Sequence, residues 1–379
     1  MRQDCKCINH KRKIRKVWYK MSNTLKKPVD KKIYIEVLRI IAILFVVFNH
    51  TGAKGFTLFA HRPLGSLQFW CYLFISIFCK FAVPVFFCIS GALMLNREEE
   101  SLVVLWRKRI LKIVFTLIVF SAVYCLNDAF LAGTKVEFKT FVVQLYSSTL
   151  KYHLWYLYAY IAYLASIPFL QNMAKHLSDK YFYYMIGITA FFDLLRFVEY
   201  FLWKGTLGMN SWLKVSWLTT AIVIYPCVGY FLEHRVNINS VGKKLPILWF
   251  INILYLALSC YTTYFMGKVS GDCTSESFHN SFINSISIYL TIKFLCNNIK
   301  WKPIFSTLVY SLGSCTFGIY LLHPLIKDTQ LFKQLQGAIL STGMNQMVAV
   351  WIFVLCVVIC CWLVTWILKK IPWIRRVVG

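Results

Sequence analysis

The stretch IYIEVLRIIAILFVVFNHTG, residues 33–52, is apolar enough to cross a bilayer, yet it carries Glu36, Arg39 and His50. Each ionisable group at membrane depth costs roughly 2.5–3.5 kcal/mol on insertion scales, so three on one helix need a reason. Arg39 and His50 are eleven residues apart, which places them on nearly the same helical face, about 17 Å apart along the axis. We therefore expect this face to point into the bundle interior or a wet cavity rather than into lipid.

Two interpretations of Arg39 remain open from its position alone. Glu36 stands three residues before Arg39 and can pair with it, and such a pair can snorkel at a membrane interface. Alternatively, Arg39 faces the interior and binds a ligand. His50 is harder to explain as a purely structural residue, because its ring nitrogens need partners and the ordinary pKa of histidine suits proton transfer near neutral pH.

The composition indicates the class of protein. Of the 379 residues, 58% are hydrophobic and only 15% are charged, with a mean hydropathy of +0.58. Long apolar runs separated by short basic stretches are typical of a polytopic helical membrane protein, because a helix satisfies its own backbone groups in lipid. The net charge of +27 does not indicate nucleic-acid binding, since Lys and Arg lie between the apolar runs and no nucleic-acid fold signature occurs.

The apolar runs predict an all-α membrane helix bundle of about ten transmembrane helices. An even number of spans puts both termini on one side, and the excess of Lys and Arg in the tails and alternate loops predicts that this side is the cytoplasm. The predicted organisation is a basic, disordered tail over residues 1–32, a membrane domain over 33–368 and a second basic tail over 369–379. The spans lie at about 33–53, 67–95, 110–132, 153–171, 181–203, 212–232, 245–266, 281–299, 304–326 and 346–368.

The N-terminal tail has two features without a predicted function. Met21 opens a more ordinary start, so we expect residues 1–20 to be an over-extended translation start or a dispensable tail. Cys5, Cys7 and His10 do not complete a ligand set, and most of the 14 cysteines lie in apolar runs, where they behave as small hydrophobes. No metal site is therefore predicted.

Cations occur at two further places in the apolar part of the chain. In LWRKRILKIVF, residues 105–115, the cations Arg107, Lys108, Arg109 and Lys112 either follow the positive-inside rule or include a phosphate clamp. The clamp is feasible because Arg109 and Lys112 share a helical face at i, i+3. Lys80, one turn before Pro84, can face a cavity.

Histidines and aromatic residues mark the candidate substrate end. HLWYLYAYIAYLASIPFL, residues 153–170, begins with His153, Trp155 and Tyr156, which form either an interfacial aromatic belt or a sugar site, because aromatic rings pack on sugar C–H surfaces. His323 lies in SLGSCTFGIYLLHPLI, residues 311–326, and is a second intramembrane candidate. Its alternative role is an interfacial side chain bonded to water.

Taken in order, these stretches resemble the acyltransferase-3 family of bacterial integral-membrane acyltransferases, which includes O-acetyltransferases of surface polysaccharides. The resemblance runs from about residue 33 to residue 326 and is led by the Arg-x10-His spacing of Arg39 and His50. The other matching stretches are VPVFFCISGALML (83–95), RKRILKI (107–113), HLWYLYAYIAYL (153–164), YPCVGYFL (225–232) and FGIYLLHPLI (317–326).

The resemblance implies transfer of an acyl group, usually acetyl, from acyl-CoA on the cytoplasmic side of a bacterial cytoplasmic membrane to a hydroxyl of a glycan or lipid-linked sugar near the outer face. By position, His50 matches the family's essential histidine, and Arg39 matches its partner arginine. Arg109 and Lys112 match its Arg-x-x-Arg, although Lys112 keeps the charge without the bidentate geometry. The scheme makes His50 the general base, supported by Arg39. It assigns Arg107, Arg109 and Lys112 to the donor, and His153, Trp155, Tyr156 and His323 to the substrate.

A transporter or exporter of a polysaccharide unit is the alternative, since ten spans with internal charges suit that function too. Against it, the sequence contains no convincing internal repeat and no matched pair of broken helices. A non-catalytic scaffold leaves Arg39 and His50 unexplained. The acceptor, the length of the acyl group and the oligomeric state are not predicted.

Overall fold

The computed structural model describes residues 32–271, 273 and 281–379, and within these residues it contains helices and no strands. The predictions for the tail before residue 32, including Cys5, Cys7 and His10, lie outside the described residues. In chain order the α-helices are α1 (Ile33–Asn49), α2 (Leu67–Phe78), α3 (Ala82–Met94), α4 (Leu102–Leu105), α5 (Leu111–Ala132), α6 (Phe138–Ser147), α7 (Trp155–His176), α8 (Asp179–Trp203), α9 (Ser216–Thr219), α10 (Ala221–His234), α11 (Ile238–Val241), α12 (Leu245–Ser270), α13 (Phe282–Asn298), α14 (Pro303–Ser314), α15 (Thr316–Lys327), α16 (Gln330–Leu340), α17 (Gln346–Leu368) and α18 (Pro372–Val378).

Each of the ten predicted spans contains a helix, and the all-α membrane bundle is confirmed. Among the described residues, four helical segments are long and apolar enough to cross a membrane: Leu67–Met94, Leu102–Ala132, Leu245–Ser270 and Gln346–Leu368. A bent pair, α14 with α15, is a fifth candidate. The remaining helices are shorter or more polar, so the number of ten crossings stays a prediction.

Helix α1 lies at the centre of the bundle, where it packs against α3, α13, α14, α15 and α17. Its sequence explains this position, because Leu38, Ala42 and Ile43 are fully buried and recur at helical spacing on its apolar faces. The helix ends at Asn49, so that His50 caps its C-terminus. The polar side chains of α1 therefore lie inside the protein rather than against lipid.

The predicted span 304–326 is not one straight helix. Helices α14 and α15 meet at Cys315 with a bend of 63°. The Thr316 hydroxyl donates to the Gly313 carbonyl at 2.9 Å and so satisfies one group freed at the break. Gly313 packs directly on Glu36 of α1, since a Cβ at Gly313 would lie 2.3 Å from Glu36 Oε2. The bend thus occurs where α14 crosses the charged turn of α1.

Helices α3 and α10 touch through their backbones. A Cβ added to Gly91 would lie 2.0 Å from the Pro226 carbonyl oxygen, and one added to Gly229 would lie 2.0 Å from that of Cys88. Small residues permit this close approach in membrane helices. The pair forms one wall of the interior.

A buried carboxylate ties the N-terminus of α1 to the bundle. Glu233 of α10 accepts hydrogen bonds from Lys32, Tyr34 and Tyr289, the last at 3.0 Å, and pairs with Lys293 at 3.1 Å. Its side chain is only 3% exposed, so the surrounding donors compensate the buried charge. This cluster fixes the register of α1 relative to α10 and α13.

Candidate active site

A cavity of about 680 Å³ lies beside α1 and extends along its polar face. Arg39 and His50 both line it, as predicted from their spacing. The other polar lining residues are Asn49, Lys80, Ser90, Lys112, His153, Trp155, Tyr156, Tyr160, Tyr225, Ser281, Ser314, Thr316 and Tyr320.

The basic end of the cavity is defined by Arg39 and Lys112. Arg39 Nη1 donates to Glu36 Oε1 at 2.9 Å, so the predicted i, i+3 pair forms. The guanidinium keeps 29% of its side-chain surface accessible and borders the cavity, which rules out an orientation into lipid. Lys112, half-buried near the start of α5, lines the same space. Arg39 and Lys112 therefore both border this end of the cavity, and of these two cations Arg39 has a carboxylate partner among the described residues whereas Lys112 has none.

The imidazole end of the cavity is built from three histidines that come from separate parts of the chain. His50 caps α1, His153 lies in the 3₁₀ turn before α7, and His323 lies in α15. The ring centroids of His50 and His323 are 5.0 Å apart and nearly parallel, while His153 stands edge-on to both, at 6.4 Å from His50 and 5.4 Å from His323. Long-range packing thus assembles a cluster that no local motif contains.

The hydrogen bonds of His323 fix the tautomer of His50. His323 Nδ1 lies 2.8 Å from the Tyr320 carbonyl oxygen, which can only accept, so Nδ1 carries the proton. In the neutral ring His323 Nε2 then has a lone pair, and it lies 2.8 Å from His50 Nδ1. His50 Nδ1 must therefore donate, which leaves the lone pair of His50 on Nε2. No described residue bonds to that nitrogen, so His50 has the form of a general base.

His323 itself does not reach the cavity. It is fully buried behind His50 and does not belong to the lining. The predicted contact of His323 with substrate therefore has no geometric support, because His50 stands between them. Its position is that of a residue that orients His50.

Arg109 and Lys112 were predicted to share a helical face and one binding site, but they border two different cavities. A π-helical turn over Trp106–Ile110 precedes α5 and alters the rotation between the two side chains. Arg109 forms a bidentate pair with Glu100, with Nε donating to Oε2 at 2.7 Å, in a small separate recess of about 20 Å³. Arg107 is exposed and does not line the cavity. Of the three predicted donor cations, only Lys112 faces the cavity.

Aromatic side chains form the wall near the imidazole end. Tyr156 lines the cavity and stacks on Tyr160 with ring centroids 5.7 Å apart, and it meets Tyr320 edge-on at 5.5 Å. Trp155 is 45% exposed and also contributes to the lining. The predicted Trp155 and Tyr156 are thus brought to the same space as His50.

Other lining residues add to the predicted set. Lys80 does face the cavity, and its ammonium lies 4.4 Å from the centroid of the Phe56 ring. Asn49, Tyr160 and Tyr320 were not predicted as site residues. Asn49 could have been found from its adjacency to His50, Tyr160 from its helical spacing to Tyr156, and Tyr320 from its place in the FGIYLLHPLI stretch. No group of three or more potential metal ligands occurs in the described part of the chain.

Comparison with protein-family models matches residues 32–366 to Acyl_transf_3, an acyltransferase domain. No curated protein and no solved structure matches the chain. The family match covers most of the sequence, including every residue of the cavity except Gly379. The chain therefore belongs to the acyltransferase-3 family, and it is a membrane acyltransferase.

Proposed function

We propose that this acyltransferase moves an acyl group, usually acetyl, from acyl-CoA to a hydroxyl of a surface polysaccharide or lipid-linked sugar. The observation that carries the proposal is one cavity that joins two cations, Arg39 and Lys112, to an imidazole whose free lone pair is fixed on His50 Nε2. Family membership favours this chemistry over export of a polysaccharide unit.

The shape of the cavity suits a donor with charge at one end and a reactive group at the other. Arg39 and His50 are separated by about 17 Å along α1, at about 1.5 Å per residue. Acyl-CoA has the matching form, since an extended pantetheine arm separates its phosphates from the thioester. In our proposal Arg39 and Lys112 bind the phosphates, Glu36 orients Arg39, and the thioester lies beside His50. No metal is required for this step.

The proposed reaction is direct transfer. The acceptor hydroxyl gives its proton to His50 Nε2, while its oxygen forms a bond to the thioester carbon. The carbonyl π electrons move to oxygen, and they return as the C–S bond breaks. The thiolate of coenzyme A leaves and takes the proton from the His50 imidazolium. His323 acts as a positioning residue, because it accepts the Nδ1–H hydrogen bond that keeps the lone pair of His50 on Nε2.

The acceptor side is assigned to the aromatic end of the cavity. Trp155 and Tyr156 offer ring faces that pack on sugar C–H surfaces, and the Tyr156 hydroxyl can bond a sugar hydroxyl. A glycan or lipid-linked sugar that lies at the membrane surface can bring a hydroxyl to His50 from this end.

The proposed setting is the bacterial cytoplasmic membrane, with both termini in the cytoplasm. The positive-inside rule supports this orientation, since Arg107, Lys108 and Arg109 lie together before the apolar part of α5. The basic end of the cavity then lies toward the cytosol, where acyl-CoA is made, and the imidazole end lies toward the outer face.

The test uses membranes from cells that produce the protein. Membranes are incubated with acetyl-CoA labelled in the acetyl group, and the glycan fraction is isolated and analysed by mass spectrometry. We expect label in the glycan and a mass increase of one acyl group per modified sugar, both absent from cells that lack the gene.

A parallel incubation replaces acetyl-CoA with succinyl-CoA. Comparison of the two rates shows which acyl group the cavity accepts. Glycan that crosses the membrane without any acyl addition would instead indicate transport. Identical acylation with and without the gene would rule out the proposed function.

A further inference from the structure

His153 is the most buried polar side chain that faces the cavity, and it is unpaired. Its residue is 1% exposed, and neither Nδ1 nor Nε2 has a hydrogen-bond partner in the described part of the chain. The backbone is held firmly, since the Tyr320 hydroxyl donates to the His153 carbonyl oxygen at 2.7 Å. Buried polar groups in native proteins are nearly always hydrogen-bonded, so an orphaned imidazole that borders a cavity indicates a ligand group that completes it.

The surroundings of His153 distinguish it from His50. Its ring is met edge-on by Tyr124 at 5.0 Å, Tyr320 at 5.5 Å and His323 at 5.4 Å, and no carboxylate contacts it among the described residues. The neighbouring Lys151 pairs with Asp128 at 2.9 Å. A neutral ring in this setting offers one N–H donor and one lone pair. Nothing fixes which nitrogen carries the proton, so His153 is unsuited to be the base.

The separation of the two rings limits what a ligand that touches both of them can be. The centroids of His50 and His153 are 6.4 Å apart, with an interplanar angle of 69°. Hydrogen bonds to a developing oxyanion are about 2.7–3.1 Å long. A carbon that lies in the cavity beside both rings can therefore direct one of its two oxygens to each imidazole. That is the arrangement of a tetrahedral intermediate in acyl transfer.

We propose that His153 is a second catalytic residue, which donates a ring N–H hydrogen bond to the thioester carbonyl oxygen as negative charge develops on it. This inference rests on the proposed function. As the acceptor oxygen bonds to the thioester carbon and its proton passes to His50 Nε2, the carbonyl π pair moves to the oxygen held by His153. When the pair returns, the C–S bond breaks and the coenzyme A thiolate takes the proton from His50, so His153 ends unchanged.

The experiment compares His153→Leu, which removes the donor, with His153→Gln, whose carboxamide retains one. Membranes that carry each variant and the endogenous glycan receive radiolabelled acetyl-CoA. We expect His153→Leu to lower the rate at saturating donor by about 10²–10³-fold, the usual effect of deleting one oxyanion donor. The KM for acetyl-CoA should stay unchanged, and His153→Gln should recover part of the lost rate. His176→Leu, at the exposed far end of α7, is the matched control and should behave as wild type.

Binding of a ketone analogue of acetyl-CoA, in which a methylene group replaces the thioester sulfur, reports whether each variant has a folded donor site. Unchanged analogue affinity with a lost rate supports the inference. A His153→Leu rate equal to wild type, or a His153→Gln rate no better than that of His153→Leu, overturns it while the function stands. Wild-type membranes that transfer no label overturn both.

Discussion

The two ends of the cavity differ in how their polar groups are held. At the basic end, Arg39 forms an ion pair with Glu36, and Lys112 lines the cavity without a carboxylate partner among the described residues. At the imidazole end, His50 donates a hydrogen bond to His323 between two neutral rings, and the His153 ring has no hydrogen-bond partner among the described residues. The fixed positive charges at the basic end suit binding of an anionic donor, whereas the neutral imidazole rings suit transfer of a proton. Changes at the first end should therefore raise the KM, and changes at the second should lower kcat.

The largest effect is expected from His50→Ala. Loss of the proposed general base should lower the rate of acetyl transfer by about 10²–10⁴-fold, because proton transfer by a positioned side chain contributes about that much. The measurement is incorporation of labelled acetyl groups into glycan by membranes that contain equal amounts of folded protein. His61→Ala, an exposed histidine that does not line the cavity, serves as the control. Full activity of His50→Ala would show that the imidazole end of the cavity does not carry out the chemistry.

The next effect is expected from His323→Leu. This change removes the acceptor of the His50 Nδ1–H bond, so the lone pair of His50 is no longer confined to Nε2. We expect kcat to fall by about 10–100-fold, the effect seen when the partner that orients a metal-ligating histidine is lost. The KM for acetyl-CoA should not move. A His323→Gln variant, whose side-chain oxygen can accept the same bond, should recover activity. A wild-type kcat for His323→Leu, or a His323→Gln kcat no higher than that of His323→Leu, would contradict the positioning role.

A smaller effect separates Lys112 from Arg109. Lys112→Ala should raise the KM for acetyl-CoA by about tenfold, since a hydrogen bond to a charged group is worth about 1.5–3 kcal/mol. The KM for the acceptor should change less. Arg109→Ala is the matched variant, because its guanidinium is directed to Glu100 in a separate recess, and it should raise the donor KM less than Lys112→Ala does. The reverse order would place the donor phosphates in the Arg109 recess.

The smallest effect is expected from Glu100→Gln. The hydrogen bonds donated by Arg109 lower the pKa of the Glu100 carboxyl. Because this pKa lies below its ordinary value, the ion pair is intact near neutral pH and is lost only as the pH falls through the lowered pKa. We therefore expect an unchanged donor KM for Glu100→Gln near neutral pH, measured in the same assay. A clearly lower KM would show that Glu100 competes with the donor for Arg109.

The sequence was most informative where one helix carries the relevant residues. Arg39 and His50 face the same cavity because Arg39 lies in α1 and His50 caps the same helix, so the helical period determines their relative direction. The all-α membrane class followed equally directly from apolar run length. The Glu36 partner of Arg39 was predictable for the same reason, since the pair is local.

The parts that depend on tertiary packing could not be predicted in this way. His153 and His323 meet His50 only because α7, α15 and α1 converge, and no spacing in the sequence encodes that contact. The π turn before α5 rotates Arg109 away from Lys112, although an ideal helix would keep them on one face. The buried Glu233 cluster was also missed, since its partners come from α1 and α13 as well as from residue 32.

The backbone contact of α3 with α10 has a consequence for the range of acyl groups that this scaffold can accept. Pro84, Phe86, Phe87 and Ser90 line the cavity from α3, while Gly91 presses against the carbonyl of Pro226 on the other side. Protein interiors this closely packed resist expansion, so this wall cannot yield to a bulkier acyl chain. To accept longer acyl chains, the protein must therefore replace aromatic side chains such as Phe86 with smaller ones, because the two helices are packed too closely to move apart.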